Sequence, residues 1–178
     1  MLSSNTKVSS RAILLCLTCV LASCGFHLRG TQNATAADFD SIHIAASGEM
    51  LALLRRAFER ANKKVTTTAS AAEYSLSVSG IRNSRRAVAT TSNISVAEYE
   101  LVQAVDVRLL THDRVEVIFS VRVATERSYS FDNESLESSS EEEALLREEM
   151  RRDLSEQIHR RVNISITNYQ NSREDISG

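Results

Sequence analysis

Two stretches of this sequence place apolar side chains at every second position, with four polar residues between them. In the first, Tyr99, Leu101, Val105, Val107 and Leu109 share one parity, opposite Glu98, Glu100, Asp106 and Arg108. In the second, Val115, Val117, Phe119, Val121 and Val123 repeat the pattern. A period of two is that of a strand with one face in a core and the other in water. The connection Thr111-His112-Asp113-Arg114 has the length and polarity of a hairpin loop. Such a pair commits the chain to an antiparallel sheet with one apolar face, and that face must be covered.

The cover is written in two segments of a different period. Met50, Leu51, Leu54, Ala57, Phe58 and Ala61 recur at spacings of three and four, with Arg55, Arg56, Glu59 and Arg60 between them. This predicts an amphipathic helix whose stripe is core. A second helix is predicted from Ser140 to Ile166, with Leu146, Met150, Leu154, Ile158 and Val162 as its inner stripe. Ser140-x-x-Glu143 has the form of a capping box. Glu143–Arg147, Glu148–Arg152 and Glu156–Arg160 are i,i+4 pairs in the favourable order. Two shorter alternating runs complete the set, Asp40–Ala45 and one carrying Tyr74, Leu76 and Val78 that ends near Gly80.

The predicted order is therefore β-α-β-β-β-α. The fold class is α+β, a two-layer sandwich with two helices packed on one face of a four-stranded, mostly antiparallel sheet. The opposite face carries Ser, Thr and charges, and is either wet or set against something polar. With 178 residues and no Pro, the chain has the length of one domain and no proline-rich linker to a second.

The N-terminus reads as an address. Lys7 and Arg11 precede the apolar run Ala12–Ala22, whose helical length of roughly 16 Å is about half of a ~30 Å hydrocarbon core. That is a signal-peptide core, not a transmembrane span. The run ends in Leu21-Ala22-Ser23-Cys24, which resembles the bacterial lipobox. There the Cys thiol accepts a diacylglycerol and small residues let the peptidase approach the backbone. Cleavage before Cys24 would remove Cys16 and Cys19 and leave one Cys, so no intrachain disulfide is possible. Gly25 follows; in lipoproteins an Asp there tends to retain the protein at the inner membrane, so Gly favours the outer one. The domains expected are a signal peptide at 1–23, a lipidated tether at 24–37, the α+β domain at 38–167 and a polar, frayed tail at 168–178.

Chemistry for catalysis is not legible. The four His, at 27, 43, 112 and 159, have no metal-ligand spacing. No glycine-rich phosphate loop or nucleophile elbow occurs, and Glu141-Glu142-Glu143 is accounted for by a helix start. The expectation is a non-enzyme with no metal and no cofactor beyond the N-acyl and S-diacylglycerol lipid on Cys24. A net charge of −2 argues against nucleic acid as a partner. One polar cluster stands out: Arg82, Arg85 and Arg86, placed in the connection between the strand ending near Gly80 and the one beginning near Ser95. Three guanidiniums within five residues are able to hold a phosphate; the alternative is a solvated hairpin whose charges block edge-to-edge pairing.

Several segments in order resemble one family. Cys24-Gly25-Phe26-His27-Leu28-Arg29-Gly30 is similar to the mature start of the LptE lipoproteins of LPS assembly. Ala97-Glu98-Tyr99-Glu100 resembles a strand start of that family, and Arg127-Ser128-Tyr129-Ser130-Phe131-Asp132-Asn133 resembles the end of its last strand. Arg147-Glu148-Glu149-Met150 and Gln157-Ile158 resemble its C-terminal helix.

The resemblance implies two helices on a four-stranded sheet, in agreement with the pattern above. It also implies an outer-membrane lipoprotein that faces the periplasm and sits within the lumen of the LptD β-barrel. Such a protein plugs that barrel, is needed for its assembly, binds LPS and, with LptD, delivers LPS to the cell surface. Arg82, Arg85 and Arg86 become LPS-binding candidates. The chain departs from LPS-contacting relatives at Ser92-Asn93 and Ser138–Ser140, where those relatives can carry basic residues. The alternatives are a periplasm-facing binding module of another envelope transport system and, last, a cell-wall enzyme or its activator.

Overall fold

The structure of the protein is a computed structural model and describes residues 37–90, 96–131 and 136–177. Strand β1 (Ser41–Ala45) leads to helix α1 (Gly48–Arg60) and a three-residue strand, β2 (Lys64–Thr66). Three long strands follow, β3 (Tyr74–Thr90), β4 (Val96–Thr111) and β5 (Glu116–Ser130), and then helix α2 (Leu136–Ser177). The sheet order is β2-β1-β3-β4-β5. β1 is parallel to both neighbours, and β3-β4-β5 is an antiparallel meander.

The two-layer α+β architecture is as expected, but the sheet has five strands rather than four. β2 escapes a reading by alternation because Val65 is its only apolar residue. It forms because α1 ends in a Schellman turn: Asn62 takes φ +58°, Asn62 N–H donates to the Glu59 carbonyl and Lys63 N–H to the Phe58 carbonyl, each at 3.0 Å. The chain thereby reverses. Lys63 Nζ donates to the carbonyls of Ala37 (2.9 Å) and Phe39 (2.7 Å), fastening the new strand beside the start of β1.

Both helices lie on one face. Met50, Leu54 and Phe58 of α1 and Leu154, Ile158, Val162 and Ile166 of α2 are buried with Ile42, Ile44, Leu76, Val78, Val105, Val107 and Leu109 of the sheet. Each fully buried side chain of this size is worth about 1.5–3 kcal/mol relative to exposure. A second cluster of Leu101, Tyr129 and Met150, flanked by Tyr99, Phe131 and Leu146, joins the first turns of α2 to the far end of the meander.

Four local expectations are corrected. The strand expected to end near Gly80 continues to Thr90, because Gly80 (φ +61°) forms a bulge instead of a terminus. A Cβ there would lie 2.6 Å from the Asp106 carboxylate. Ser140 does not cap α2: the helix starts at Leu136, and the Ser140 hydroxyl donates to the Glu137 carbonyl within it. Residues 168–177, expected to fray, continue the helix, and Gln170 reaches back to donate to the Asp38 carbonyl. In β5 the register slips between the Val107–Val121 and Leu109–Ile118 pairs. That bulge turns Ile118 inward and leaves Phe119, expected in the core, 71% exposed. The expected signal peptide, the expected lipobox and Cys24 lie outside the described residues.

Candidate functional site

The sheet face away from the helices is the candidate working surface. Period-two geometry gives it Ser75, Ser77 and Ser79 from the first part of β3, then Arg82, Ser84 and Arg86 once the Gly80 bulge has reversed the parity. β4 contributes Glu100, Ala104, Asp106 and Arg108, and β5 contributes Arg122, Glu126 and Ser128. Charges on this face answer each other across strands. Arg82 pairs with Asp106 at 3.0 Å, Arg122 approaches the other Asp106 oxygen at 3.5 Å, and Arg86 pairs with Glu100 at 2.8 Å. Arg108 Nε donates to Glu116 at 2.7 Å. The Arg82 hydrogen bond holds the Asp106 carboxyl below the usual carboxylate range.

The predicted arginine cluster is therefore present but rearranged. All three side chains stand on β3, not in a connection. Arg85 is opposite Leu101 in the register and belongs to the helix-covered side, whereas Arg82 and Arg86 belong to the open side. Four residue steps along β3 separate those two, roughly 13 Å, and they are held by different carboxylates, Asp106 and Glu100, so the three guanidiniums do not converge on one phosphate.

Arg85 instead completes a polar knot at the start of α2. It donates to Glu143 Oε2 at 3.0 Å and lies over the Tyr99 ring, 4.5 Å from its centroid. Tyr129 Oη donates to the same carboxylate oxygen at 2.6 Å, and Arg147 Nε donates to the other at 2.8 Å. Burial works to raise the Glu143 pKa, but the donors Tyr129, Arg147 and Arg85 outweigh it and hold the carboxyl at about 2. The same knot raises the pKa of Arg85, first through its Glu143 hydrogen bond.

A second feature lies on the helix side. Where α1 begins, a cleft of about 190 Å³ opens between Ser47-Gly48, Ile81, Asn83, Gln103 and Arg151. Gln103 is 3% exposed, and its Oε1 has no hydrogen-bond partner among the described residues. An unpaired buried acceptor of this kind costs about 1–3 kcal/mol. Sequence reasoning passed over Gln103, although the signal was there: it is the one polar residue in the apolar stripe from Tyr99 to Leu109.

Among the described residues no group of three His, Cys, Asp or Glu is placed to hold a metal ion. No helix among them is long and apolar enough to cross a membrane.

The sequence matches the family model for LptE, lipopolysaccharide-assembly, over residues 31–162. No curated protein matches it. Among solved structures, lipoprotein B from Nitrosomonas europaea is similar at 27% identity and TM-score 0.64, covering 78% of this chain and 90% of that one. The rare lipoprotein B from Shewanella oneidensis shares the fold at 21% identity and TM-score 0.67, covering 74% of this chain and 99% of the other. A minor lipoprotein from Acinetobacter baumannii does so at 16% identity and TM-score 0.58, covering 74% and 94%.

Proposed function

The chain belongs to the LptE family of lipopolysaccharide-assembly lipoproteins, and from that premise we propose that it is anchored in the outer membrane through acylated Cys24, plugs the LptD β-barrel, is required for that barrel's assembly, and binds LPS. The observation that carries the plug is the open sheet face, whose arginines are paired across strands with Asp106, Glu100 and Glu116. A face that is polar yet locally neutralised suits the polar interior of a membrane barrel. It can leave bulk water without burying an unpaired charge, the costly case. The anionic groups of LPS fall to Arg82 and Arg86 on that face, each of which would exchange its carboxylate for a phosphate. Arg85 is held by Glu143 and serves the fold. The role needs no catalytic residue.

The test is to extract the full chain in mild detergent by an affinity tag and identify what comes with it. Co-purification of an outer-membrane β-barrel, and loss of folded barrel when this protein is depleted, is the expected result. A chain that comes out alone overturns the plug, and one accompanied by an inner-membrane transporter favours a binding module of another envelope transport system.

A further inference from the structure

The cleft at the start of α1 takes no part in the barrel-plug role, yet it has the parts of a binding site. Its floor and walls come from four elements: the first residues of α1, Ile81 and Asn83 of β3 beyond the bulge, Gln103 of β4, and Arg151 of α2. Two independent features point to an occupant. First, the N-terminus of this 13-residue helix receives no side-chain cap from Ser47, so N–H groups of its first turn are left without intrahelical partners. Second, Gln103, almost wholly buried, lines the same cleft with an unpartnered oxygen.

The chemistry of the occupant follows from the charges. Arg151 Nε forms an ion pair with Glu49 Oε2 at 2.6 Å but makes no hydrogen bond among the described residues. The cleft is therefore close to neutral apart from the partial positive charge of the helix end, and holds a second buried donor in need of an acceptor. It does not demand an anion. Gln103 Oε1 needs a donor, while the α1 N–H groups need an acceptor. A hydroxyl is both at once, and it would satisfy Gln103 equally if the amide were turned to present its N–H. Ile81, Val105 and Leu154 supply an apolar flank. A group bearing several hydroxyls around a compact ring matches this lining.

We propose that the cleft binds one saccharide unit of LPS, at a site distinct from Arg82 and Arg86; this rests on the reading of the chain as an LPS-binding protein. The Gly80 bulge makes the site by reversing the parity of β3, which brings Asn83 opposite Gln103 on the helix side.

The experiment uses the full chain, 15N-labelled in mild detergent, titrated with deacylated LPS saccharide. The Gln103 side-chain amide and the backbone amides of Gly48 and Glu49 should shift saturably. Gln103→Leu should weaken binding about five-fold or more while leaving Tm unchanged or higher. Ile81→Trp, at an exposed wall position, should weaken it similarly by filling the mouth. Saccharide shifts that avoid the cleft, or unchanged affinity in both variants, would mean that it holds solvent only and would overturn the site. If wild-type protein captures intact LPS while the cleft ignores the saccharide, this site fails and LPS recognition stands. Failure to bind either form removes both.

Discussion

Glu143 accepts hydrogen bonds from Tyr129, Arg85 and Arg147, and these hold its pKa at about 2 against an ordinary 4.5. A carboxyl whose pKa is depressed on folding gives stability that is fully present above the unfolded value and is lost as pH falls through the folded one. The window here runs from about 4.5 down to about 2. At full weight the shift corresponds to about 3 kcal/mol, and solvent screening at a partly exposed knot brings it to about 1–2 kcal/mol. Glu143→Gln should therefore lower stability at neutral pH by that amount and flatten the pH dependence below 4.5, as read by urea denaturation across pH. A slope identical to wild type would show that Glu143 is not so held. The neighbouring arginines separate by face. Arg85→Gln takes a charged donor from Glu143 and should cost about 1–2 kcal/mol, whereas Arg86→Gln, at a side chain 71% exposed, should stay within about 0.5 kcal/mol. Equal losses for the two would contradict their placement on opposite faces.

Strands and helices were readable wherever a single period ran uninterrupted. The α2 stripe of Met150, Leu154, Ile158 and Val162 is buried as its spacing predicts, and extends to Ile166. The i,i+4 pairs along it are made, with Arg147, Arg152 and Arg160 each on its Glu. The β4 stripe is inward as written. What failed were places where two parities compete. Gly80 reads equally as the end of a strand or as a bulge within one, and only pairing with β4 decides between them. The run Val117-Ile118-Phe119 offers an apolar residue to either face, and the β5 bulge chooses Ile118. The arginine cluster was legible as residues but not as a site, because its two faces depend on the Gly80 bulge. Ile118→Ala should accordingly cost about 2–3 kcal/mol, and Phe119→Thr should stay within about 0.5 kcal/mol, both by equilibrium denaturation. The reverse order would restore the uninterrupted alternation and refute the bulge.

At the scale of the molecule, the helices cover one side of the sheet and leave a polar, ion-paired side open, and the described residues contain no helix able to cross a membrane. Attachment in the proposed role falls to Cys24. One acyl chain binds a bilayer only marginally, whereas three chains at ~0.8 kcal/mol per buried CH₂ hold firmly. A barrel partner complicates the obvious assay, since a plug could stay with the outer membrane through protein contacts after its lipid is removed. Fractionation alone is therefore a weak readout, and the covalent state of the N-terminus is the decisive one. Cys24→Ala should keep the leader Met1–Ser23 and take up no labelled palmitate, while the wild-type chain should begin at an acylated Cys24, both visible by intact mass. A wild-type product that retains the leader, or a Cys24→Ala chain that is still acylated and cut before residue 24, would remove the anchor and leave the proposed membrane attachment to the fold and its open face.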